Sequence, residues 1–154
     1  MKHVVIQSIS SIILYVLMAF LFSSFLSNVS TVIETDRFEI EFNLLPLLLL
    51  VGFFIIWTIY SFKTRPNQNL SFGQWSVRMT EFSEVDEREQ IITAKATKAA
   101  YVSFGITVPL LMASFMFYPL FESVLPAYPI YALASTLIIS TLVYMTTWIR
   151  AYTH

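Results

Sequence analysis

The chain has 154 residues, 56% of them hydrophobic and only 12% charged. Soluble domains carry about 25% charged residues, so together with a mean hydropathy of +0.69 this composition excludes a water-soluble globule. Zero Cys, two His, three Gly and a net charge of −1 leave no thiolate chemistry, no zinc centre, no phosphate-cradling loop and no basic surface for nucleic acid, and no metal or cofactor is expected.

A first apolar run covers 4–26 and contains no ionisable side chain apart from the phenol of Tyr15. Crossing about 30 Å of hydrocarbon takes roughly 20 helical residues, so the run predicts a membrane span. Its length exceeds a signal-peptide core, and Phe25-Leu26-Ser27-Asn28-Val29-Ser30 is a poor cleavage site, so retention is the expectation. Tyr15, Ser8 and Ser11 give this span a weakly polar face. An acidic outer loop, 27–43, follows.

The second span is 44–62. Asn43 stands where an N-cap belongs, and Pro46 falls in the first turn, where its missing N–H costs nothing. Trp57 and Tyr60 then mark an interface level.

Residues 63–98 form an insert that changes character half-way. Arg65-Pro66-Asn67-Gln68-Asn69 reads as a turn, and the alternation Trp75-Ser76-Val77-Arg78-Met79-Thr80 suits a short extended piece at the membrane surface. Near Ser83–Glu84 the pattern turns helical, with Ser83 as a cap, Glu84, Asp86, Glu87 and Glu89 in the first turns, and Glu84 four residues before Arg88. This helix is expected to run without a break into the third span, 99–121, and to project some four turns into the cytosol.

Pro109 lies mid-way along the third span. It removes a hydrogen bond to the preceding turn and predicts a kink, with Thr107 or Ser103 available to the freed group. Such a kink is either a hinge or an ordinary feature of a membrane helix. A short outer hairpin, 122–129, leads to the fourth span, 130–149, and Tyr118, Tyr128, Tyr131, Trp148 and Tyr152 are expected in interfacial belts.

With no water to drive them together, membrane helices approach closely through small residues. Ala96, Ala100, Ser103, Thr107 and Ser114 make such a stripe on the third span, and Thr136, Ser140 and Thr147 make one on the fourth. The two stripes are expected to face each other or the bundle centre. The competing reading makes Thr136, Ser140, Tyr144 and Thr147 a groove for a small ligand or a lipid headgroup. Pumps mark their path with ionisable residues inside the membrane, and these spans have no charged one.

Eight of the nine basic residues fall on one side of a four-span map, namely Lys2, Lys63, Arg65, Arg78, Arg88, Lys95, Lys98 and Arg150, leaving Arg37 opposite. Basic residues are retained on the cytoplasmic side. The fold class expected is therefore an all-α membrane protein of four transmembrane helices in one integral membrane domain. Both termini are cytoplasmic, and the third helix carries a cytoplasmic helical extension.

The run Asp86-Glu87-Arg88-Glu89 followed by Ile92 and Ala94-Lys95-Ala96 resembles small four-span prokaryotic integral membrane proteins of unassigned function, in which a like motif leads into the third span. The resemblance implies location and architecture, with an accessory or regulatory role. For Asp86, Glu87, Arg88 and Glu89 three readings stand: a solvated helix start, a docking surface completed by Trp75 and Phe82, and a divalent-cation site, which lacks any calcium-loop pattern.

The function expected is that of a non-enzymatic multi-pass accessory protein of the plasma membrane, with a regulatory, sensing or self-protection role. It would act through contacts of its cytoplasmic helix with a protein partner or a second copy. The alternative is a subunit of an oligomeric transporter or passive pathway for a neutral or apolar solute. No span holds a paired carboxylate, a His cluster or a nucleophile with its base, so catalysis is not expected.

Overall fold

The computed structural model describes residues 2–35, 44–65, 69, 71–78 and 86–153. Among these residues five α-helices follow in order: α1 (Lys2–Thr35), α2 (Leu45–Lys63), α3 (Phe72–Arg78), α4 (Glu87–Phe115) and α5 (Tyr128–Thr153). Among the described residues there is no strand, and α1, α2, α4 and α5 are each long and apolar enough to cross a membrane. In hydrocarbon a backbone must satisfy its own polar groups, which is why charge-free runs of this length close into helices.

Several boundaries differ from the sequence reading. α1 continues through Thr35, so helix fills the first half of what reads as a loop over 27–43. Leu44, without a side-chain bond, occupies the N-cap of α2, and Pro46 sits in its first turn as expected; Asn43 lies outside the described residues. The stretch that reads as extended opens instead as helix α3, because Ser71 and Gln74 exchange side-chain to backbone bonds across its first turn; Met79 and Thr80 lie outside the described residues. α4 starts at Glu87, capped by Asp86, whose carboxylate accepts from the Arg88 amide at 3.0 Å. Phe82, Ser83 and Glu84 lie outside the described residues.

Antiparallel packing places the start of α1, the end of α2, the start of α4 and the end of α5 together. α5 packs most extensively on α4 and next on α1, and α1 in turn packs on α2. The helices therefore run in the order α2, α1, α5, α4, and α2 and α4 share no comparable seam. Polar bonds tie each seam: Ser61 Oγ to Gln7 Oε1 (3.5 Å) between α2 and α1, Tyr131 Oη to Ser23 Oγ (3.0 Å) between α5 and α1, and Ser140 Oγ to the Ala100 carbonyl (3.3 Å) between α5 and α4.

The core lies at the end of the bundle that holds the starts of α1 and α4. Val4, Ile92, Ala96, Tyr144 and Trp148 form one buried cluster, with Ala100 packed against it. Ala96 is fully buried and lets α4 approach α5 closely. Trp148, expected at an interface, is 0% exposed, because Thr93 accepts its indole N–H at 3.1 Å and removes the need for a wet partner. At the opposite end Phe115, Tyr118, Phe121 and Tyr128 cluster, and the Tyr118 hydroxyl donates to the Pro126 carbonyl at 2.9 Å, pinning the hairpin.

Pro109 sits inside α4, which continues on both sides of it. The Thr107 hydroxyl donates to the Ser103 carbonyl (2.9 Å) and the Ser114 hydroxyl to the Leu111 carbonyl. Neither serves the Gly105 carbonyl, one turn before Pro109, so the repair expected from Thr107 or Ser103 is not the one made.

Candidate functional site

Two places in this bundle gather polar chemistry. The first is the charged start of α4. Asp86 caps it, and Glu87 and Glu89 stand in the first turn, where the helix dipole favours negative charge. Arg88 turns the other way. Its guanidinium lies 5.7 Å from the ring centroid of Tyr152 and donates to the Tyr152 carbonyl at 3.4 Å. Tyr152 is in turn stacked on Trp148, with centroids 5.0 Å apart and planes at 14°. Arg88, Tyr152, Trp148 and Thr93 thus form one ladder from α4 to α5. The expected helical extension is no free-standing stalk, because α5 flanks it through Thr153 and the start of α1 reaches the same level.

Trp75 is not part of this ladder. It is 8% exposed and packs edge-on against Phe62 of α2 at 5.4 Å, with Phe72 alongside. The docking residues named from sequence are therefore split between two elements. Glu87 and Asp86 are exposed, Glu89 is half-buried, Arg88 is engaged by α5, and Trp75 lines the α2–α3 corner. On α4 the face opposite the ladder stays open, with Ile91 71% exposed one turn after Glu87.

The second place is a groove in the middle of the bundle. One compartment of about 450 Å³ is lined from all four long helices, including Gln7 and Ser11 of α1, Trp57 of α2, Thr97 of α4, and Ser140 and Tyr144 of α5. A second, of about 370 Å³, lies further along α1, α4 and α5 and is bounded by Met18, Phe22, Val108, Leu111 and Leu133. Tyr15, Phe104 and Leu137 belong to both, so the two compartments meet there. Among the described residues α2 and α4 pack far less on each other than on their inner neighbours.

Of the groove residues named from sequence, Ser140 and Tyr144 line the first compartment and Thr136 the second. Ser103, Thr107 and Thr147 are half-buried and outside the lining of both. The sequence reading missed Gln7, Thr93 and Tyr152. A signal for Gln7 exists, since it carries the only amide side chain within the four charge-free runs and stands four residues before Ser11.

The chain is similar to a protein of Bacillus subtilis (strain 168) described as the uncharacterized lipoprotein YgaO, at 34% identity over 105 residues. That alignment covers 68% of this chain and 64% of the relative, so the chain matches less than two thirds of the relative's length. No family model matches the chain, and no solved structure matches it.

Proposed function

We propose that this protein is a non-enzymatic, multi-pass accessory protein of the plasma membrane, with both termini and the start of α4 in the cytoplasm. It presents the open face of α4 to a protein partner or a second copy in a regulatory, sensing or self-protection role. The observation that carries this reading is the division of the first three turns of α4. Arg88, Ile92, Thr93 and Ala96 are held against α5 or the core, while Glu87 and Ile91 stand out on a rigidly backed surface. Preorganised polar residues around an exposed aliphatic anchor suit protein recognition. Lys95 and Lys98 follow at the level expected for headgroups, and the excess of basic residues on this side supports the orientation. The lipoprotein relative supports a membrane location. These 154 residues contain no Cys, so they offer no thiol to an acyl chain, and the reading assigns membrane attachment to the helices themselves.

The test is photocrosslinking in intact membranes from positions 87 and 91, with products identified by mass spectrometry. One dominant product with a specific protein or with a second copy, lost in Glu87→Arg, is expected; products with lipid alone overturn the reading. The central groove favours a second reading, a subunit of an oligomeric pathway for a neutral or apolar solute. Proteoliposomes of the pure protein that pass no such solute would remove it.

A further inference from the structure

We infer that the central groove binds a single-chain lipid with an uncharged, hydroxyl-bearing head, of the monoacylglycerol or fatty-alcohol class. The chemistry changes along the groove as it does along such a molecule. In one compartment Gln7, Ser11, Ser140, Thr141 and Tyr144 stand among apolar side chains such as Leu14 and Trp57, while in the next, lined by Met18, Phe22, Val108, Leu111 and Leu133, Thr136 and the shared Tyr15 are the only polar residues among those described. From Gln7 to Phe22 the helix rises about 22 Å at ~1.5 Å per residue. One acyl chain needs about 15 Å, half of the hydrocarbon thickness, so head and tail both find room. Each compartment is the size of an ordinary small-molecule site, which suits one chain more than the two of a phospholipid.

The polar end specifies the head. No Asp, Glu, Lys, Arg or His is among the described residues lining either compartment, so a carboxylate or phosphate would lie there without a counter-charge. The hydroxyls of Ser140 and Thr141 donate to the carbonyls of Ala100 and Leu137, which leaves their oxygens able to accept. Gln7 accepts from Ser61 through Oε1 and brings an amide NH2 to the lining. A hydroxyl head both donates and accepts, and so answers both kinds of group. Among the described residues α2 and α4 pack far less on each other than on their inner neighbours, and the space between them is the route in that this proposal assigns. This site includes neither Glu87 nor Ile91 and stands whether or not that face recruits a partner.

The experiment uses the full chain in nanodiscs of phosphatidylcholine and phosphatidylglycerol, with a trace of monoacylglycerol carrying a diazirine at the end of its tail. After irradiation the adducts are mapped by mass spectrometry. Adducts on Ala19, Leu111 or Thr136, the buried part of the tail lining, are expected, displaced by excess unlabelled monoacylglycerol and not by the fatty acid of the same length. Ala134→Phe, which fills the tail compartment, should reduce these adducts about tenfold, the effect of ~1.4 kcal/mol of lost binding. Ile106→Phe, on an outward face, should leave them unchanged. Adducts spread over outward residues such as Ile106 and Met112, or labelling that unlabelled monoacylglycerol does not displace, overturn the site. Equal displacement by the fatty acid overturns the assignment of the head, and the competition on the wild-type chain decides this even if Ala134→Phe folds poorly.

Discussion

The indole N–H of Trp148 donates to the hydroxyl of Thr93 at 3.1 Å, and this bond between two buried side chains joins α5 to α4. This bond explains why a Trp near the end of a long apolar helix is fully buried. It also fixes the rotation of α5, which brings Tyr152 round to stack on Trp148 and meet Arg88.

Thr93→Val keeps the shape and removes the acceptor, leaving a buried donor without its partner. Such a loss costs about 1–3 kcal/mol in a protein interior and about 0.6–2 kcal/mol between helices in a membrane. Thr93→Val should therefore unfold at a lower temperature or lower denaturing-detergent fraction than wild type, while Thr93→Ser restores most of the difference. Equal stability of all three would show that the indole finds another acceptor.

Asp86→Ala should destabilise the start of α4 by about 1 kcal/mol, the usual cost of losing an N-cap acceptor. The change is local. Hydrogen exchange should quicken at the amide of Arg88, which donates to Asp86, and leave the amides of α5 near 140 as they were. Asp86→Asn, still able to accept, should lie close to wild type.

Arg88→Gln removes the cation beside Tyr152 while keeping a polar side chain of similar reach. Exposed cation–π contacts contribute about 0.5–1 kcal/mol, so limited proteolysis of the last turn of α5 should accelerate about two- to five-fold. Arg88→Lys should recover only part of this, because an ammonium lacks the flat face and the fork of donors of a guanidinium. An unchanged rate in both variants would detach α5 from the start of α4.

Because the chain is free of Cys, single-Cys variants report topology without background. Ser76→Cys should react with a membrane-impermeant maleimide only when the cytoplasmic side is opened, and Ser123→Cys should react from outside in intact cells. The reverse pattern would invert the orientation deduced from the basic residues.

The four long helices were legible from sequence because their cause is local. A run of apolar residues such as 44–62 meets lipid as an isolated segment, and the backbone has no option there but to satisfy itself. The same is true of Pro46 in a first turn, and of the small-residue approach of Ala96 and Ala100 to α5, which follows from helical spacing. Cap positions were read less well: Ser83 and Asp86 are both good N-cap residues in one acidic stretch, and only the backbone geometry at Asp86, extended at φ −81° and ψ 123°, selects it.

Other features depend on pairs far apart in the chain. The burial of Trp148 depends on Thr93, 55 residues away, which supplies an acceptor, and the contact of Arg88 with Tyr152 joins residues 64 apart. Trp75 likewise has no sequence neighbour that announces its packing on Phe62. The groove is a still higher-order property, since it is lined from all four long helices at once. By itself the sequence determined which segments are helical and apolar enough to span a membrane, since the length of an uncharged run acts one segment at a time. Only the tertiary structure decided which faces meet, which side chains bond across them and where space is left. Those outcomes depend on the mutual rotation of helices, which hydropathy along a single helix does not encode.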